Sequence, residues 1–384
     1  MRHRSVVIWV VGSVVVATIA GVAVRSVSTT PHRVQAPRGS ARTFTARSGV
    51  NRDARTGDVI RGTAAAVHVP RAGHGQCAVA DIETRGATPG TQSTGSETVC
   101  VQQAASGSVR VRVNRQVHAA PRPRNTTRAQ GRGIIATCGD PAYAYFDTST
   151  GTQIRLPAAA RGASPNVSWY MSNVGMPSYL NAAEVLNDAK MSISNWVTNR
   201  NSCGSTARPG LTSIYRGTTT KTPSRYVIDG IVCPAPDGYS VVGWAGLSSS
   251  TVDATTRYTT GLTCLSFTSS GYISEADIAL TNVPQVGWQT SGEYPAPETN
   301  ASIVGVFKNV EDVLTHERGH AIGLRHPLNP STCHADWSGL TCRDDPYGHP
   351  QLTMGYPEDG HPMWDTRRVD LAAGDTKGLL ALYP

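Results

Sequence analysis

Charge is scarce in this 384-residue chain: Asp, Glu, Lys and Arg make up 16% of it, against roughly a quarter in an average globular protein. Together with 38 Gly, 24 Pro and no internal repeat, this excludes a coiled coil or a helical repeat array. No Cys-x-x-Cys pair occurs among the eight cysteines, which excludes zinc ribbons and thioredoxin-like redox sites. Disulfides are then the reading for the cysteines, provided the chain is exported. No Gly-x-Ser-x-Gly elbow and no phosphate-binding loop are present, so serine hydrolase and nucleotide chemistry have no support. Enough apolar material remains for a core over part of the chain, since 39% of residues are hydrophobic and seven are Trp, and this excludes disorder throughout.

Lysine is missing altogether from residues 1–135, which carry 19 Arg and five acidic residues, a formal +14; residues 136–384 carry 16 basic and 22 acidic residues, a formal −6. The Arg is scattered among Thr, Ser, Gly and Pro without aromatic interleaving, so no nucleic-acid partner is expected. Opposite charge instead suggests a basic pro-region lying against an acidic main domain, an intramolecular contact favoured by attraction. Attachment of the basic half to anionic cell-envelope polymers is the alternative.

Arg2, His3 and Arg4 precede the uncharged run Ser5–Val24, rich in Val, Ile and Ala, which reads as an export signal. Gly21-Val22-Ala23 would suit signal peptidase, yet the run is also long enough to span a bilayer uncut. The expectation is a secreted, extracellular protein, with a membrane-anchored cell-surface protein as the alternative. Residues 1–24 are thus a signal peptide or signal anchor. Residues 25–133 form a basic pro-region and linker, flexible to about Val59, with a candidate small β module around Thr98–Gln102 and Ser108–Val117 that Cys77 and Cys100 could close. The proline-bearing stretch Ala120–Arg132 is the candidate processing region.

Residues 134–384 read as the folded domain. An amphipathic helix is predicted over Asn181–Val197, from Ala182, Val185, Leu186, Ala189, Ile193 and Trp196. Strands are predicted at Leu211–Tyr215, Tyr226–Val232, Ser240–Ala245, Leu262–Phe267 and Ile273–Leu280. A second helix carries Val310, Val313, Leu314, Ala321, Ile322 and Leu324, and a third runs over Gly378–Tyr383 after Asp375 as a first-turn acid. This order predicts an α/β (α+β) fold.

The segment that carries chemistry is His316-Glu317-Arg318-Gly319-His320-Ala321-Ile322-Gly323-Leu324-Arg325-His326. On a helix, His316 and His320 stand one turn apart on one face, so both rings can reach a single ion about 2 Å from each nitrogen. Zn2+ suits that pair. Glu317 lies beside the metal without ligating it, placed to act as a general base on water. Gly323 lets the backbone leave the helix, so that His326 can turn back as a third ligand. The fourth position is then left to water, as in catalytic zinc sites.

These residues resemble the metzincin metalloproteases, whose zinc helix reads His-Glu-x-x-His-x-x-Gly-x-x-His and whose site is floored by a Met-turn. Leu352-Thr353-Met354-Gly355-Tyr356-Pro357 is similar to that turn. The resemblance implies a twisted mixed sheet, a zinc helix, a Met-turn with Met354 beneath the metal, and a C-terminal helix. It also implies that Tyr356 is a displaceable zinc ligand able to hydrogen-bond the reaction's oxyanion. Gly271–Ile278 is similar to a sheet strand of bacterial matrixin-like members, and Leu371–Tyr383 to their closing helix. Pro327 and the Met-x-Tyr turn resemble serralysins, without their calcium-binding glycine-rich repeats. The matrixin cysteine-switch motif is missing, and Pro70-Arg71-Ala72-Gly73 with Cys77 displaced is only a partial echo of it.

The expected function is therefore that of an exported zinc endopeptidase made as a zymogen, acting on protein or peptide substrates through Glu317 and Tyr356, with His316, His320 and His326 on Zn2+. A non-enzymatic surface or binding protein that retains a zinc site is the alternative. Cys333 and Cys342 could staple a loop beside the cleft. Asp344 and Asp345 could contribute to a Ca2+ site or form a solvated turn.

Overall fold

Alternation of apolar and polar side chains draws long stretches of the described residues into strands. The computed structural model describes residues 41–85, 92–117, 143–158, 163–201, 203–227, 230–247, 249–252, 255–284, 286–291, 306–327, 353–354 and 370–384. The N-terminal hydrophobic run, the stretch Ala120–Arg132, Cys333, Cys342, Asp344, Asp345 and Tyr356 lie outside them.

The N-terminal part forms β1 (Thr43–Thr45), β2 (Gly49–Asn51), β3 (Val59–Arg61), β4 (Ala66–His68), β5 (His74–Arg85), β6 (Gln92–Gln103) and β7 (Val109–Val117). It is followed by β8 (Ala144–Tyr145), β9 (Asn166–Met171), helix α1 (Ala182–Val197), β10 (Thr212–Thr218), β11 (Arg225–Val227), β12 (Gly230–Val232), β13 (Val241–Ala245) and β14 (Ser249–Val252). The remainder is β15 (Thr255–Thr268), β16 (Ile273–Thr281), β17 (Val286–Gln289), β18 (Val306–Asn309), α2 (Val310–Ala321), β19 (Leu324–Arg325) and α3 (Ala373–Leu382). The architecture is mixed α/β, at coarse level α+β, with three helices among the described residues.

A ten-stranded mixed sheet is the frame, in the order β10-β9-β13-β16-β15-β5-β6-β7-β2 with β14 on β15. The pairings from β10 to β16 are parallel. From β16 through β15, β5, β6 and β7 to β2 every pairing is antiparallel. A second sheet runs β1-β3-β4-β12-β11. Because strand side chains alternate between faces, the large sheet feeds two cores. Cys77, Val79, Leu265 and Phe267 join the helices on one face, while Ala78, Ala80, Val99, Leu262 and Cys264 pack on the other. Disulfides join Cys77 to Cys100 and Cys233 to Cys264.

Helix α1 begins at Asn181, whose side chain accepts from the Ala183 amide, a preferred N-cap. It lies against α2, where Trp196 donates its indole N–H to the Thr315 carbonyl at 2.7 Å. Helix α2 starts at the Asn309 cap, and all twelve of its residues are buried.

Several sequence expectations are corrected. The second helix ends at Ala321, so Leu324 belongs to β19; its apolar spacing continued past the point where Gly323 turns at φ +104°. Tyr226–Val232 is two short strands in antiparallel pairing, Val227 opposite Gly230. The stretch read as flexible to Val59 carries β1 and β2 from residue 43 on. Those strands lack local periodicity and take their order from pairing with β3 and β7.

Between α1 and α2 lies a knot of acid. Burial pushes Asp188 up to about 6, although the Ser291 amide donates to it; Glu311 and Glu184 add repulsion. A native-state value above the unfolded one, about 3.9, means this group's contribution is fully present below pH 4 and is lost as pH rises through 6. Asp188→Asn should therefore be more stable than the parent above pH 6, by on the order of 1 to 2 kcal/mol, with no gain below pH 4, as read by urea denaturation across that range.

Candidate metal centre

Three imidazoles converge because α2 holds two of them one turn apart and the turn at Gly323 returns the third. A Cβ at Gly323 would stand 2.2 Å from the Ile154 carbonyl oxygen, so the tight turn excludes any larger residue. His316 Nε2 lies 3.1 Å from His326 Nε2. The Nδ1–H of His316 donates to the Thr353 carbonyl at 2.6 Å, and that of His320 to the Leu324 carbonyl at 2.9 Å. Each carbonyl fixes a tautomer that leaves the Nε2 lone pair of its ring for a metal.

The fourth group comes from the N-terminal part of the chain. Asp81, on β5, places Oδ2 at 3.2 Å from His316 Nε2 and Oδ1 at 3.6 Å from His326 Nε2. Ligand atoms of Asp81, His316, His320 and His326 all lie within 4.8 Å of one another, and all four residues are buried. Four donors about 2 Å from one tetrahedral ion stand roughly 3.3 Å apart, so the cluster has the size of a metal site. The donor set, three nitrogens and a carboxylate oxygen, suits a borderline divalent cation. His320 Nε2 is buried without a hydrogen-bond partner, as expected of an atom kept for an ion.

Electrostatics point the same way. Burial opposes charge on His316, but the neighbouring Asp81 carboxylate prevails and holds its pKa above the usual histidine value. Burial pulls His320 down to about 3, aided by His316, and also holds His326 far down. Glu317 is held well above the carboxylate range by burial and by Asp81, whereas Asp81 is held low by the charge of His316 against the effect of burial. Two carboxylates and three imidazoles in one dry pocket form an arrangement that a cation would relieve.

Glu317 is seated by β15. Its Oε2 accepts from the Thr263 hydroxyl, and the same carboxyl is paired with that of Asp81. A Cβ at Gly261 would meet Glu317 Oε1 at 2.1 Å, so β15 needs glycine where the helix presses against it. The turn at Thr353 and Met354 is pinned from beneath by Asp375 of α3, which accepts from the Thr353, Met354 and Ala372 amides at 2.7, 3.2 and 2.9 Å. Tyr383 donates its hydroxyl to the Ile322 carbonyl at 2.7 Å, tying the closing helix to the end of α2. Met354 is buried against Gly319, whose missing side chain makes room for the thioether. The guanidinium of Arg318 sits 4.4 Å over the Trp169 ring, and burial lowers its pKa to about 9.

The structure thus brings together His316, Glu317, His320, His326 and Met354. Tyr356, Cys333 and Cys342 lie outside the described residues, so their expected roles are not addressed by it. Cys77 is committed to a disulfide with Cys100 and supplies no thiolate to the site. Sequence reasoning missed Asp81 and the supporting role of Asp375. The signal for Asp81 was present: Cys77, Val79 and Asp81 share one face of a strand by their spacing of two, and an acid at a core-facing position calls for a partner. Compared with models of known protein families and with curated proteins, the chain matches none.

The floor of the site is testable. A Cβ at Gly319 would lie 2.1 Å from Met354 Sδ and 2.8 Å from Trp196 Cζ2, so Gly319→Ala should cost about 1 to 3 kcal/mol of stability by overpacking. In a Met354→Ala background the same change should cost measurably less; equal costs in the two backgrounds, by urea denaturation, would remove Met354 from the contact.

Proposed function

We propose that the chain is an exported zinc-dependent endopeptidase of the metzincin kind. One observation carries this reading. Beside three converging imidazoles stands a carboxylate, Glu317, that Thr263 anchors by one oxygen and that shares the buried pocket with the Asp81 carboxylate. A structural metal site has no use for such a group, whereas hydrolysis needs a positioned base. Further support comes from the large mixed sheet, the Thr353-Met354 turn and the closing helix α3, which are parts the family resemblance calls for.

His316, His320 and His326 would hold the metal. Zinc, when bound, would supply a Lewis acid that acidifies water and polarises a peptide carbonyl. The chain's own residues do the rest. Glu317 takes the proton of the attacking water at Oε1 and returns it to the leaving amine. Thr263 keeps Glu317 aimed, and the Thr353 and Leu324 carbonyls keep the imidazoles in register. Tyr356 would add a hydrogen bond to the developing oxyanion, as the resemblance implies. Export rests on the Arg2–Val24 signal, and no helix among the described residues is long and apolar enough to cross a membrane.

A second reading has its own observation in favour. With Asp81 the site has four protein donors, the number that closes a structural zinc site, and the chain would then be a non-enzymatic metal-binding protein. The two part on Glu317→Gln. For the endopeptidase, parent and variant both retain one equivalent of zinc by elemental analysis. After limited cleavage by bead-bound trypsin, removed before assay, only the parent hydrolyses casein, in a phenanthroline-sensitive manner, with the variant down at least about 100-fold. Unchanged casein hydrolysis in Glu317→Gln would end the mechanism.

A further inference from the structure

A groove opens where the hairpin of β15 and β16 turns. Gly271, at φ +78°, brings that turn so close to the neighbouring segment that a Cβ there would stand 2.4 Å from the Gln153 carbonyl oxygen. Two hydrogen bonds clamp the approach: the Arg155 amide donates to the Gly271 carbonyl and the Ile273 amide to the Arg155 carbonyl, both at 2.9 Å. Beside this clamp lies a space of about 430 Å³, and the side chains lining it are those of Tyr145, Thr152, Gln153, Arg155, Ser270 and Tyr272. Small-molecule sites span roughly 300–1,000 Å³ and are largely formed before the ligand arrives.

The lining has an unusual make-up. Among the described residues it contains no acid and no aliphatic side chain, but two phenol rings, one guanidinium and several neutral hydrogen-bonding groups. Tyr272 leaves 43% of its surface exposed, a large aromatic with little of its ring packed on its own chain. The guanidinium of Arg155 makes no hydrogen bond or ion pair with the described residues.

We propose that this groove binds a saccharide carrying a carboxylate, such as a uronic acid unit of a polysaccharide. A pyranose ring has an apolar C–H face that lies on an aromatic ring, and a rim of hydroxyls that pairs with Thr152, Gln153, Ser270 and the phenol hydroxyls. The planar fork of Arg155 matches the two oxygens of a carboxylate. Other ligands use the groove less well: a cation finds no acid, an aliphatic side chain no apolar seat, and a polyphosphate only one positive charge. None of Asp81, His316, His320 and His326 lines the groove, yet both stand on one frame. Tyr145 is opposite Leu324 in the pairing of β8 with β19. Ile154, between two lining residues, presents the carbonyl against which Gly323 turns toward His326. A polysaccharide held here would keep the candidate metal centre beside it, and its binding does not require that the centre hydrolyse peptides.

Titration of the full chain with methyl glucuronide, followed by ligand-observed NMR, should give saturable binding at least about tenfold tighter than that of methyl glucoside, which lacks the carboxylate. Acetate, which lacks the ring, should also bind at least about tenfold more weakly than the glucuronide. Arg155→Gln should bring the glucuronide down to the level of the glucoside, with Arg155→Lys, which keeps the charge without the fork, between the two. Tyr272→Ala should weaken both sugars, whereas Tyr272→Phe, which keeps the ring, should hold the parent's affinity within about threefold. Urea midpoints equal to the parent's would show that these exposed substitutions leave the fold intact. Acetate binding as tightly as the glucuronide would reduce the groove to a plain anion site and overturn the proposal. Glucuronide binding unchanged in both Arg155→Gln and Tyr272→Ala would overturn it too, by placing the sugar elsewhere, the metal centre included. Absence of saturation by the glucuronide up to its solubility would have the same result.

Discussion

Helix α2 has no face turned to solvent, and the rest of the molecule is arranged around that constraint. Six of its twelve residues are acids, bases or imidazoles, and leaving such groups unpaired in a dry interior costs several kcal/mol each. The surroundings answer them nearly one by one. Asn195 of α1 donates to Glu311, and Thr263 of β15 takes one oxygen of Glu317. The carbonyls of Thr353 and Leu324 accept from the histidines, and the Trp169 ring faces Arg318. The Nε2 of His320 keeps no hydrogen-bond partner, and it is the atom that a metal would use.

These answers come from segments far apart in sequence. Asp81, Thr263, Glu317, Thr353 and Asp375 meet within one centre, so its geometry is a product of the whole sheet and not of the helix alone. The large sheet sets the height of β15 against α2, and α3 sets the height of the Thr353-Met354 turn through Asp375. Local disturbance in any of these layers should be felt at the imidazoles, because buried side chains in such packing have little room to adjust.

This explains which parts could be read in advance. The histidine pair of α2 and the return of His326 were legible, since fixed spacing on one helix determines which side chains share a face. The strands now named β10, β13 and β16 were legible through period-two alternation bounded by Gly and Pro. The place of Asp81 was not, because the pairing of β5 with β15 joins residues about 180 positions apart and no local pattern records a register. Nor was the order of β1 and β2, which borrow it from their partners. The overrun of the second helix into Leu324 shows the opposite failure: apolar spacing persisted beyond a residue whose backbone angle had already ended the helix.

The bonds from Asp375 to the Thr353-Met354 turn and from Tyr383 to Ile322 also set an order of assembly. A ribosome delivers β5, α2 and the turn before it delivers α3, so until the last stretch of the chain emerges the turn has no clamp beneath it and the end of α2 has one hydrogen-bond donor too few. A chain interrupted before α3 would carry Asp81 and all three histidines of the candidate centre and still lack the means to hold them in place.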